Sequence, residues 1–152
     1  MGWWIVLLVV FLALAPLWHF APTRRQRLQA RLRECAAVNG LFVELRDLPL
    51  PPARLARMPA AERQVVYYGC RLRASGKVPK RRTAWYRNGA HWSCGNGRDD
   101  PPEFVEEIPD SILAVDLGPA SCGLYWREEG TEEDVIGLAR RLAAWRDQLT
   151  PA

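Results

Sequence analysis

From Gly2 to Ala21 the chain reads GWWIVLLVVFLALAPLWHFA, without an acidic side chain, a lysine or an arginine. A helix of about 20 residues at 1.5 Å per residue spans roughly 30 Å, the thickness of a hydrocarbon core. Trp3 and Trp4 lie at one end and Trp18 with His19 at the other, where amphipathic rings prefer the headgroup level. The pattern predicts an uncleaved transmembrane anchor over residues 1–22. A cleaved secretory signal fits less well: no basic side chain precedes the apolar run, and its one A-x-A, ending at Ala15, is followed by Pro16.

The period then changes. Thr23 and Gln26 stand at capping-box spacing, Leu28, Leu32, Cys35 and Ala36 recur at i, i+4, i+7 and i+8, and Asn39-Gly40 supplies a left-handed stop. A basic amphipathic helix is expected over 24–38, within a juxtamembrane segment 23–40, followed by an α+β domain over 41–152. In that domain strands are expected at 41–45, 64–73, 112–117 and 121–126, where β-branched and aromatic residues concentrate between turn residues. A connector at 52–62 holds one helical turn, a basic loop runs over 74–82, and a loop with three prolines occupies 99–109. Thr83 to Cys94 alternates around Asn88-Gly89, which predicts a hairpin with a type I′ turn. Thr131 followed by Glu132, Glu133 and Asp134 opens a last helix, with Val135, Leu138, Ala139, Leu142, Trp145 and Leu149 on one face. The expected architecture is a mainly antiparallel sheet of about five strands, with a helix at each end of the domain.

Charge adds an orientation. Arg24, Arg25, Arg27, Arg31 and Arg33 follow the apolar run and none precedes it, so the positive-inside rule places the N-terminus outside and the domain in the cytoplasm. Residues 1–98 carry 17 Lys/Arg against 4 Asp/Glu, and residues 99–152 carry 4 against 13. Such halves can neutralise each other on folding, or present a basic side to anionic lipid. The four cysteines, Cys35, Cys70, Cys94 and Cys122, contain no C-x-x-C pair. That spacing is neither a zinc signature nor a close-spaced disulfide framework, and in the expected compartment the thiols stay reduced.

Candidate chemistry is sparse. His91-x-x-Cys94 is the only close His–Cys pair in the sequence, but on a strand this spacing sends the two side chains to opposite faces. Cys94-Gly95-Asn96-Gly97-Arg98 lacks the phosphate-loop pattern. The acids from Asp99 to Asp110 and from Glu128 to Asp134 fall in a Pro-rich loop and at a helix start, where solvation and capping account for them. Lys77, Lys80, Arg81 and Arg82 form a basic loop, read first as plainly solvated and next as a contact for lipid or an acidic partner. With Trp85, Tyr86 and Trp92 as stacking groups it could also meet nucleic acid, the less favoured reading.

The run from Pro22 to Arg33, PTRRQRLQARLR, directly after a short apolar span resembles small bacterial inner-membrane proteins of the YajC type, accessory to the Sec translocase. This likeness covers about the first 40 residues. The remainder, with its Trp-rich hairpin, is similar to an uncharacterised gammaproteobacterial single-pass inner-membrane family, some of whose members carry the translocase name. The resemblance implies an inner-membrane location, a cytosolic domain and no activity.

The sequence is therefore read as a membrane-anchored, non-enzymatic accessory or interaction protein. Its expected partners are the lipid bilayer and another inner-membrane protein, with no nucleic acid, cofactor or metal. Trp3, Trp4, Trp18, Arg24, Arg25 and Arg27 mark the expected anchor interface, and Lys77, Lys80, Arg81 and Arg82 the expected contact surface. The alternative is an enzyme using His91, Cys94 or the acidic loops.

Overall fold

The computed structural model describes residues 2–14, 22–72, 81–95 and 100–149. The chain divides into two compact units, Met1–Ala30 and Arg31–Ala152.

In the first unit the apolar run forms α1, Trp3–Leu14, twelve residues long with Trp3 and Trp4 exposed. Twelve residues measure about 18 Å, well short of the roughly 30 Å of a hydrocarbon core. Among the described residues no helix is long and apolar enough to cross a membrane. This overturns the expected transmembrane anchor, and with it the single-pass inner-membrane location and the cytoplasmic placing of the domain. Trp18 lies outside the described residues.

Helix α2, Arg24–Val38, begins in the first unit and continues into the second. Its start is the capping box read from the sequence: the Thr23 amide donates to Gln26 Oε1 at 2.9 Å, and the Gln26 amide donates to Thr23 Oγ1 at 3.2 Å. It ends in a Schellman arrangement, Leu41 N–H to Ala36 O and Gly40 N–H to Ala37 O, with Gly40 at φ 79°.

The second unit is built on one six-stranded antiparallel sheet, in the order β1-β2-β6-β5-β3-β4. The strands are β1 (Phe42–Asp47), β2 (Gln64–Arg71), β3 (Thr83–Asn88), β4 (His91–Cys94), β5 (Ile112–Leu117) and β6 (Ser121–Trp126). Two short helices, α3 (Pro52–Leu55) and α4 (Ala60–Arg63), lie in the connector before β2, and α5 (Glu132–Leu149) closes the domain. The α+β class is thus as expected, with six strands rather than about five. The loop with three prolines also holds a 3₁₀ turn, Glu103–Glu107.

Alternation along the strands separates two faces. One carries Tyr68, Cys70, Leu124, Trp126, Val115 and Trp85, and packs with Leu32 and Ala36 of α2 and Val135, Leu138, Leu142 and Trp145 of α5. Thr131 and Asp134 exchange cap hydrogen bonds at the start of α5, and of the predicted face Val135, Leu138, Ala139, Leu142 and Trp145 are buried while Leu149 is partly buried. The other face carries Tyr67, Ala114 and Tyr125, packed with Leu48, Leu50, Leu55 and Met58 from the connector.

The hairpin differs in detail from its prediction. Asn88 pairs with His91, so the two loop residues are Gly89 and Ala90, and of the residues in this turn Gly89 alone has positive φ, 64°. That is the sign pattern of a type II′ turn, with glycine at the first central position, rather than type I′ at Asn88-Gly89.

Candidate functional site

On the connector side of the sheet, the chain gathers buried polar groups at one end and arginines around an apolar groove at the other. The buried end starts from two glycines. Gly69 and Gly123 sit opposite each other on β2 and β6, and a Cβ at either position would collide with the Tyr67 ring. Without those side chains the ring lies over the strands and its hydroxyl reaches Asp116 Oδ1 of β5 at 2.8 Å. The Tyr125 hydroxyl donates to Asp116 Oδ2 at 3.4 Å, Arg82 pairs with the same carboxylate and bonds Tyr125, and the Arg46 guanidinium stacks 3.9 Å from the Tyr67 ring centre. Asp116 is 1% exposed, so its partners must replace water completely. Both carboxylate oxygens are engaged, which makes the cluster a brace between strands.

A second buried carboxylate, Glu128, stands on the α2 side. It holds φ at 56° and takes Arg33 bidentately at 2.7 and 2.8 Å, with the Tyr68 hydroxyl at 2.9 Å. The pairs Arg33–Glu128, Arg82–Asp116 and Arg87–Asp110 each join the basic half of the sequence to the acidic half, so part of the charge asymmetry is neutralised internally.

Burial, followed by the neighbouring Asp116 or Glu128 carboxylate, raises the phenols of Tyr67, Tyr68 and Tyr125 well above their ordinary value. A raised folded pKa contributes stability that is fully present below the unfolded value near pH 10 and is lost as the pH rises beyond it. Each such phenol removes about 1.4 kcal/mol per pH unit in that range. An alkaline titration followed by phenolate absorbance should therefore show three of the four tyrosines ionising together with unfolding. Gradual ionisation of all four with tryptophan fluorescence unchanged would contradict the burial of these hydroxyls.

The groove lies where the connector meets the sheet. Leu48, Leu50, Met58 and Leu113 form its floor, Arg54, Arg57, Arg87 and Arg127 surround it, and it encloses about 360 Å³. A bulge between Ile112 and Ala114 inserts Leu113 as an extra residue in β5 and turns it toward this floor. Arg87 is held by Asp110 at 2.6 Å and by the Ile112 carbonyl at 3.3 Å, while Arg54 bonds Asn88 Oδ1 at 2.9 Å and stacks on Tyr86. Arg57 and Arg127 make no side-chain ion pair among the described residues. Among the described residues Asp110 is the one carboxylate paired at the rim; it is 95% exposed, so that pair is weak and easily exchanged.

The residues singled out from the sequence are dispersed. Arg24, Arg25 and Arg27 lie exposed on the first turns of α2. Lys77 and Lys80 are outside the described residues, Arg81 is exposed, and Arg82 is committed to Asp116. His91 pairs with Asn88 and Cys94 with Trp85 across the hairpin; their strand parity places them on opposite faces, with Cys94 against the α5 core. The groove arginines escaped notice because they are scattered over more than seventy positions as single residues. Only the apolar anchors Leu48, Leu50 and Met58 beside arginines in the connector hinted at it. Comparison of the chain with protein-family models, with curated proteins and with solved structures finds no match in any of the three.

Proposed function

We propose that the folded domain is a non-enzymatic interaction module that holds an acidic, partly apolar segment of a partner protein in the groove of Arg54, Arg57, Arg87 and Arg127. The observation that carries this reading is a recessed apolar floor whose lining includes four arginines, of which Arg57 and Arg127 lack an ion-pair partner among the described residues. Arginine presents a planar fork suited to carboxylates, and the floor offers burial for one or two apolar side chains. A flat anionic lipid surface would satisfy the rim and leave the floor unfilled, since Leu48 is only 4% exposed. A peptide segment can supply both.

The probe is a fluorescent peptide alternating Glu with Leu and Phe. It should bind the full chain with an affinity that weakens as salt rises, and a Lys-for-Glu version should not bind. Arg57→Glu and Arg127→Glu should each lower affinity roughly tenfold, about 1.4 kcal/mol, without altering thermal unfolding. Equal binding by these variants would overturn the site. Binding to phosphatidylglycerol vesicles with none to the peptide would overturn the choice of partner.

A further inference from the structure

The strongest feature outside the groove is a pair of thiols on the α5 side of the sheet. Cys70 of β2 and Cys122 of β6 are directly opposed in the register, and their Sγ atoms stand 3.2 Å apart. We propose that Cys70 and Cys122 form a buried dithiol that a small hydroperoxide converts into a reversible disulfide joining the interior strands β2 and β6.

The geometry is suited to that bond. Directly opposed residues in an antiparallel pair have Cα atoms about 4.5–5.5 Å apart, inside the roughly 4.4–6.8 Å range that a disulfide spans. Closing the bond needs about 1 Å of approach between the sulfurs and no change of register. The other two cysteines are held elsewhere: Cys35 Sγ contacts the Glu132 carbonyl at 3.8 Å, and Cys94 stands opposite Trp85.

The thiols are also unequal. The hydrogen bond with Cys122 lowers the Cys70 thiol against the opposing effect of burial, and the positive charge of Arg146 lowers it further. The same bond and burial raise Cys122. The Cys70 thiolate is therefore the nucleophile. It attacks one oxygen of hydrogen peroxide, the O–O bond breaks, and hydroxide leaves and takes a proton to become water. The sulfenic acid on Cys70 is then attacked by Cys122 sulfur; the S–S bond forms, the S–O bond breaks, and the departing hydroxide takes the Cys122 proton as a second water. Two thiols are oxidised and one peroxide is reduced. A dithiol reductant returns the pair by exchange.

Cys70 is 3% exposed and Cys122 is 0% exposed, so a water-sized oxidant is required and a bulky disulfide is excluded. The test uses the reduced full chain, treated with hydrogen peroxide or with glutathione disulfide, quenched, unfolded and alkylated. Peroxide should reduce the alkylated thiols from four to two and join the Cys70 and Cys122 peptides in a proteolytic map. Glutathione disulfide should leave all four alkylated over the same period. In Cys122→Ser, unfolding the peroxide-treated chain in the presence of dimedone should capture a sulfenic acid at Cys70. Four alkylated thiols after peroxide, a bridge through Cys35 or Cys94, or no dimedone adduct at Cys70 would each overturn the assignment, and rapid oxidation by glutathione disulfide would overturn the size restriction.

Discussion

Gly123→Ala should unfold much of the protein at ordinary temperature, whereas the same single-carbon change at Gly137 should stabilise it. At Gly123 the added methyl would meet the backbone carbonyl of Tyr68 and the ring of Tyr67. A strand carbonyl in the centre of a sheet cannot retreat, and the ring is pinned by its bond to Asp116. Overpacking of this kind costs roughly 1–3 kcal/mol, and loss of the Tyr67–Asp116 bond adds about 1–3 kcal/mol for a buried group left unpaired. Against the marginal stability of a small domain that sum is large. At Gly137, inside α5, nothing lies within 4 Å of the new methyl, and alanine should gain about 0.8–1.0 kcal/mol from helix propensity. Urea midpoints by tryptophan fluorescence decide the matter. Similar midpoints for the two variants would show that the packing around Gly123 is not as described.

Arg82→Ala should cost more than Asp116→Asn, although Arg82 is half exposed and Asp116 is buried. Removing the arginine leaves the buried Asp116 carboxylate without its counter-charge, and because Arg82 is half exposed the cost should fall near the lower end, about 3 kcal/mol, of that for breaking a buried pair from one side. Asparagine keeps the volume and an oxygen for the Tyr67 hydroxyl, so its cost should stay near 1–2 kcal/mol. Chemical denaturation of both single variants and the double variant provides the measurement. If Arg82→Ala proved near neutral, as expected of an arginine free to meet a partner, the brace would have no energetic weight.

Much of the described fold was legible in the sequence because its signals are local. The capping box at Thr23, the Gly40 stop, the acidic start of α5 and the strand over 112–117 all depend on neighbours within a turn or two. The hairpin turn was misplaced by one residue because Asn-Gly and Gly-Ala both offer a glycine at positive φ, and the register imposed by Trp85 and Cys94 chooses between them. The apolar N-terminal run was read by composition over twenty positions, whereas the described helix extends over twelve. The buried carboxylates and the Cys70–Cys122 pair had no local signature at all. Asp116 and Glu128 look like surface acids until non-local pairing sets them against Arg82 and Arg33, and two cysteines separated by 52 positions become neighbours only through the β2–β6 register. The arginine groove has the same origin, since it needs a connector folded against a bulged strand.

The sheet order has a consequence for how the chain assembles. The pairs β3–β4 and β5–β6 close over short loops, but β2, an interior strand, waits for β6, more than fifty residues later. Closing so long a loop is entropically slow. During synthesis β2 therefore leaves the ribosome with one edge bare, carrying Tyr67 and Tyr68 before the carboxylates that will receive their hydroxyls exist. The residues that brace the finished sheet are the ones most in need of shelter while it is being made.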